Sequence, residues 1–248
     1  MNKQKNSLLI LLLSLFVFAC GTDEPQGPLE TETSGPISGS VSLFTAKGLA
    51  DLKNGMTVSI EGTTLATVTD INGIYNFPSV PFGNYDLKFE KEGYGTFFKP
   101  VEHDKGFREF GTQLIDISLG QKSETAIYEL LARLNNGDIE TRVVTAPIGT
   151  GTSPVYVTFF FADDVDVSTS NNQGVIGPLS FSEGTTGNIV NFSKERLADM
   201  GFETGETIYI RVYGDSFHTN FYQGPEGIVH PNVKEPGSGI SSFVLRDE

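Results

Sequence analysis

From Ala66 to Tyr94 the chain reads A-T-V-T-D-I-N-G-I-Y-N-F-P-S-V-P-F-G-N-Y-D-L-K-F-E-K-E-G-Y. Tyr75 and Phe77 alternate with polar neighbours, and so do Tyr85, Leu87 and Phe89. A period of two places each set on one face of a strand. Asp70, Asn72 and Gly73 separate the first runs, and Pro78, Pro81 and Gly83 the next. These residues favour turns for backbone reasons: carboxyl or amide bonding to nearby N–H groups, fixed φ, or access to positive φ. The pattern predicts strand, hairpin turn, strand, short turn, strand, that is, a β-meander with a buried aromatic face.

The same period recurs on both sides. Val41 and Leu43 alternate with serine, as do Val58 and Ile60, while Ile115, Ile117 and Leu119 predict a closing strand. Gly48–Gly55 reads as a loop, and His103–Gly106 as part of a long polar loop. Further on, Val155–Phe161 is a strong strand. Thr207–Tyr213 is another, with Ile208, Ile210 and Val212 inward and Tyr209, Arg211 and Tyr213 outward, and Ser241–Leu245 is a last strand. Ala126–Leu134 fits either a helical stripe or a strand, but Asn135-Asn136-Gly137 followed by Glu140–Val144 favours a hairpin. Ser193–Met200 predicts one short helix, with Ser193 as N-cap and Gly201 as its stop.

The spacing T-D-x-x-G-x-Y-x-F…V-P-x-G-x-Y-x-L-x-F-x-K-x-G-Y, from Thr69 to Tyr94, resembles the carboxypeptidase regulatory-like domain. I-S-G-S-V-S-L at Ile37–Leu43 and M-T-V-S-I-E-G-T at Met56–Thr63 extend the resemblance. It implies a small transthyretin-like β-sandwich over residues 37–119, an accessory module without catalytic residues. Strand count and turns alone compare residues 120–248 with an immunoglobulin- or fibronectin-like sandwich. The expected fold class is all-β: two β-sandwich domains behind a leader (1–20) and a flexible tether (21–36).

Composition narrows function. The 248 residues carry a net charge of −14, which disfavours nucleic acid and anionic membrane surfaces as partners. With a single cysteine, no intrachain disulfide and no CxxC pair exists. That cysteine, Cys20, ends a run with Lys3 and Lys5 at its head and an apolar core at Leu8–Ala19. The core is shorter than the ~20 residues of a membrane-spanning helix, as in a secretory signal peptide. V-F-A-C at its end resembles a bacterial lipobox, with Phe18 where a small residue is usual, and implies acylation of Cys20. An ordinary signal peptide or an uncleaved anchor are the alternatives. Each buried CH₂ of an acyl chain, palmitate for example, adds about 0.8 kcal/mol of membrane affinity. Gly21–Pro36 is rich in Pro, Gly and acid, as a tether would be. Asp23 and Glu24 resemble export signals of surface lipoproteins, or are linker chemistry. The expected location is the outer membrane, on the cell surface or the periplasmic face.

The chain lacks G-x-S-x-G, H-E-x-x-H and the glycine-rich phosphate loops. Its three histidines, His103, His218 and His230, are far apart. Asp70 and Asn72 read as turn residues, with calcium the alternative, since two oxygens fall short of the about 6–8 ligands that calcium takes. Asp163, Asp164 and Asp166, with Asn171 and Asn172, form an acidic loop. It is a solvated loop end, a calcium loop with Thr169 in the glycine position, or a hydrolase acid pair. Asp215–His218 with Phe221 and Tyr222 gathers aromatic and polar groups that suit a sugar or peptide. The expectation is a non-enzymatic, lipid-anchored protein for binding or scaffolding, with no cofactor, no metal and no catalytic residue. A carbohydrate-binding accessory lipoprotein of a glycan-uptake system is the alternative, and a hydrolase using Asp163–Asp166 a third. Glycan or protein ligands are the candidate partners.

Overall fold

The computed structural model describes residues 33–105, 111–135, 138–182 and 187–246. The leader, Cys20 and the tether as far as Glu32 lie outside the described residues, as do Gly106, Asn136, Gly137 and the side chain of Ile115.

The first alternating runs become β1 (Ser34–Phe44), β2 (Thr57–Ile60), β3 (Ala66–Val68), β4 (Ile74–Pro81), β5 (Gly83–Glu90), β6 (Phe97–His103) and β7 (Thr112–Gly120). They form two sheets, β4-β1-β7 and β3-β2-β5-β6. β1 runs antiparallel to β4 and parallel to β7. Ile37, Val41, Met56, Val58, Tyr75, Leu87 and Phe89 fill the core between them. β1 starts three residues inside the expected tether, because Ser34 and Gly35 pair with Pro81 and Val80.

The expected meander does not form. β3 and β4 lie in different sheets, and so do β4 and β5. Asp70–Gly73 therefore carries the chain across the sandwich instead of closing a hairpin. Its turn chemistry is nonetheless as expected: Asp70 Oδ1 accepts the N–H groups of Asn72 (2.9 Å) and Ile74 (2.8 Å), and Gly73 has φ +81°. The crossing puts Tyr75 of β4 edge-on against Phe89 of β5, with ring centroids 5.7 Å apart. Alternation says which side chains point inward, not which strand supplies the hydrogen bonds.

His103 belongs to no polar loop. It ends β6, is buried, and places its ring nitrogens 2.8 Å from Thr112 Oγ1 and 3.1 Å from the Val80 carbonyl. Tyr94, the last residue of the motif, donates its hydroxyl to Asp51 Oδ2 (2.7 Å) and so ties down the Gly48–Gly55 loop. That bond, with the N–H of Leu52, holds the Asp51 carboxyl below its usual value.

The second half contains β8 (Ala126–Asn135), β9 (Asp138–Ala146), β10 (Val155–Ala162), β11 (Gly174–Phe181), β12 (Asn188–Phe192), helix α1 (Lys194–Ala198), β13 (Thr207–Asp215), β14 (Tyr222–Gly224), β15 (Gly227–Val229) and β16 (Ser241–Val244). Sheets β12-β9-β8 and β11-β10-β13-β16 pack as a second sandwich, all pairs antiparallel. Ala126–Leu134 is a strand, paired with β9 from Ala126–Ala146 to Asn135–Asp138. Ser193 caps α1, its hydroxyl accepting the Arg196 N–H, and Gly201 takes φ +95° just beyond.

Ile208, Ile210 and Val212 point into the main core with Phe159 and Phe161. The opposite face of β13 is not the solvent face expected. Tyr213 is 1% exposed and joins Phe160, Ala162 and Val167 in a second small core. Phe160 and Tyr213 meet edge-to-face at 5.3 Å. β10 is thus buried on both faces, which is why Phe159-Phe160-Phe161 shows no alternation.

From Thr33 onward the chain forms one compact unit.

A Cβ on Gly73 would lie 2.3 Å from the Val41 carbonyl, whereas one on Gly62 (φ +76°) would meet nothing within 4 Å. Gly62→Ala should therefore cost only the left-handed backbone penalty of about 1–2 kcal/mol. Gly73→Ala should cost clearly more in urea unfolding, because β1 or the turn must also shift. Equal losses would show that the inter-sheet turn is not under this constraint.

Candidate functional site

β13 and β16 are neighbours in one sheet, yet 25 residues, Ser216–Ile240, connect them. Only the β14–β15 hairpin is regular there. A connection this long inside a compact fold is usually functional. Here it folds back over the outer face of β10, β11 and β13.

Buried amides hold its base against the first sandwich. Asn232 is 1% exposed. Its Nδ2 donates to the His218 carbonyl (2.6 Å) and to Asn220 Oδ1 (3.0 Å), and its Oδ1 accepts the Gly95 N–H (3.3 Å). The Asn232 carbonyl accepts from Ser123 N–H (2.8 Å). Asn220, at φ +51°, accepts the Gly120 N–H (2.8 Å) and donates to the Ser118 carbonyl (2.7 Å). Rings add to the seam: Phe44 meets His218 at 4.4 Å, and Tyr222 meets Phe97 at 5.9 Å and Phe98 at 5.5 Å.

Between this connection and the sheet lies a cavity of about 380 Å³, within the range of small-molecule sites. Val175, Pro178, Phe221 and Ile228 form an apolar wall, and Thr158, Asn172, Asp215, Thr219 and His230 supply the polar groups. A bulge shapes the floor: Gly177 and Pro178 of β11 stand opposite the single residue Thr158 of β10. A Cβ on Gly177 would lie 2.3 Å from Thr158 Oγ1, so the close approach requires glycine.

Asp215 is 2% exposed. Its Oδ2 accepts the Thr158 hydroxyl (2.6 Å) and its Oδ1 the Ser216 N–H (2.7 Å). Desolvation outweighs both bonds and raises its carboxyl above 3.8. Burial lowers the His230 imidazole below 6.5, so it is neutral at neutral pH; its ring stands edge-on to Phe160 at 4.9 Å. Asn172 donates its Nδ2 to the carbonyls of Ser168 (3.2 Å) and Thr169 (3.1 Å).

Residues 37–121 match the model of the CarboxypepD_reg-like domain. The first sandwich is a CarboxypepD_reg-like domain. Among solved structures, the chain is similar to a Bacteroides uniformis ATCC 8492 protein called a "putative carbohydrate binding protein" (16% identity, 85% of this chain and 99% of that one, TM-score 0.33). It is also similar to a DUF3823 family protein of Bacteroides ovatus ATCC 8483 (12% identity, 86% and 100%, TM-score 0.32). A chain of a type II cohesin–X-dockerin complex from Acetivibrio cellulolyticus is 27% identical over 36% of this chain and 59% of its own, at a TM-score of 0.29. None of the curated proteins compared with the chain matches it. The pocket lies outside the CarboxypepD_reg-like domain, although that domain holds the strap beside it.

The structure divides the sequence candidates. Asp215 and Phe221 line the pocket, whereas Tyr222 turns away and packs against Phe97 and Phe98. His218 and Phe217 serve the seam: Phe217 N–H donates to the Ala46 carbonyl (2.9 Å) and its ring meets Tyr156. Asp163, Asp164 and Asp166 are exposed and do not line the pocket; Asp164 Oδ1 accepts the Asp166 N–H (2.9 Å). Among the described residues, no group of three or more His, Cys, Asp or Glu is placed to hold a metal ion. Sequence reasoning missed Thr158, Gly177, Pro178 and Ile228, and did not connect Asn172 and His230 with Asp215. The sequence signal for the site is the length of the connection after β13.

Asn232→Ala should leave the Gly95 N–H and the His218 carbonyl without these partners at the seam and lower unfolding free energy in urea by about 2–3 kcal/mol, at the unsatisfied-group scale of 1–3 kcal/mol. A loss under half of the lower value would mean that the strap is held by ring packing alone. Asp215 has the opposite pH signature to an ion-paired carboxylate. Its raised carboxyl binds a proton more tightly folded than unfolded, so its stabilisation is full below 3.8 and is lost as pH rises through its raised value. The stability of the native chain relative to Asp215→Asn should fall with rising pH across that window. A difference constant with pH would show that the group is not desolvated.

Proposed function

We propose that this protein is a non-catalytic binding protein of the cell envelope, anchored by acylation at Cys20, with the pocket beside β10 and β13 as its binding surface. The pocket carries the reading. It is concave, mostly apolar, and furnished with a few converging polar groups on a rigid sheet. Its roof is fastened to the first sandwich, so it is preformed and a ligand loses little free energy to ordering it. The exposed carboxylates at Asp163–Asp166 do not line this pocket, which supports binding over hydrolysis as its role. The anchor rests on the basic head, the short apolar core and the position of the only cysteine. Acidity and a polar tether suit a body displayed away from the bilayer.

Cys20→Ala should move the protein from the membrane fraction to the soluble envelope fraction and abolish incorporation of a labelled fatty acid. Protease shaving of intact cells should then report the leaflet. Membrane retention of the unlabelled Cys20→Ala protein would overturn the anchor.

A further inference from the structure

The polar groups of the pocket share one character: they accept hydrogen bonds. Asn172 has both amide hydrogens directed at the Ser168 and Thr169 carbonyls, so Oδ1 is the remaining polar atom of its side chain. Thr158 spends its only hydroxyl hydrogen on Asp215, and only lone pairs are left on Oγ1. Asp215 is a carboxylate with about four lone-pair sites, of which two bonds received leave about two to fill. Thr219 and neutral His230 can each accept as well. No lysine or arginine lines the cavity. An anion would meet a buried carboxylate with no compensating cation, in a chain of net charge −14. A neutral polyol finds acceptors for its hydrogens but few donors for its own lone pairs.

Resting on the reading of this cavity as a binding site, we propose that its ligand is a small organic cation bearing a primary ammonium group, which is directed at Asp215. An ammonium has three donors and no acceptor, the complement of this lining. It also supplies the counter-charge that the desolvated carboxylate lacks. The body of the ligand lies along the apolar wall. Phe221, 61% exposed, and Ile228, 46% exposed, stand where a hydrocarbon or ring would cover them. The faces of Phe221 and His230, with centroids 6.2 Å apart, add attraction for a cation.

The test is ligand-observed NMR and calorimetry on the purified full chain with matched probes: phenethylamine against phenethyl alcohol, and glucosamine against glucose and glucuronate. Both amines should bind more tightly than their neutral partners, by about tenfold or more, the scale of a hydrogen bond to a charged group. Glucuronate should not bind. Asp215→Asn should remove the preference for amines. Phe221→Lys, at a position 61% exposed, should weaken binding of each amine more than that of its neutral partner, because the new cation repels an ammonium while the lost wall is common to both, which keeps the test valid if Asp215→Asn fails to fold. Equal binding of amine and neutral partners, or tighter binding of glucose, would overturn the ammonium ligand and leave the pocket's binding role intact. No binding by any probe or by a general fragment library would overturn both.

Discussion

The side-chain amide of Asn232 is the tie on which the arrangement depends. It is buried where the two sandwiches meet, with both ends bonded: to Gly95 on one side, and to His218 and Asn220 on the other. Asn220 extends the same network into the end of β7 through Gly120 and Ser118. An amide can do this because it donates and accepts at fixed separation, and each group left open in a buried place costs about 1–3 kcal/mol. The ring contacts of Phe217, His218 and Tyr222 add to this tie in offsetting the entropy of ordering a long connection.

The strap held in this way changes the character of the sheet beneath it. A sandwich normally buries one face of each sheet. Here β10 is buried on both, and Phe160, Ala162, Val167 and Tyr213 form a small core of their own under loops. Continuing along the same outer face, the cover leaves a cavity floored by Thr158 and Asp215. The bulge at Gly177–Pro178 lies in that floor, opposite Thr158. Core and cavity are thus two results of one folded-back connection.

The CarboxypepD_reg-like domain has a structural part in this. It contributes no residue to the lining of the pocket, but Gly95, Ser118 and the Phe97–Phe98 pair set where the strap lies. An accessory sandwich acting as a buttress needs only a rigid edge. Its own core supplies that, with Tyr75 and Phe89 packed across the two sheets.

Strands, caps and turns were legible because each is written in a few adjacent residues. Val155–Phe161 has to be buried, Ser193 has to cap, and Gly73 has to turn. Partners were not, because hydrogen bonding between strands depends on distant backbone: β3, β4 and β5 alternate like a meander and nonetheless weave between sheets. The same holds for the site. Asp215 and Phe221 could be picked out as a polar and an aromatic group in one loop, but Tyr222, next to Phe221, faces the other sandwich. The all-β character, the segments that must be buried and the acidity of the surface follow from side-chain chemistry and short-range periodicity, and so can be read along the chain. That Thr158, Asn172, Asp215 and His230 share one cavity follows from sheet pairing and a buried amide tie that no local pattern encodes.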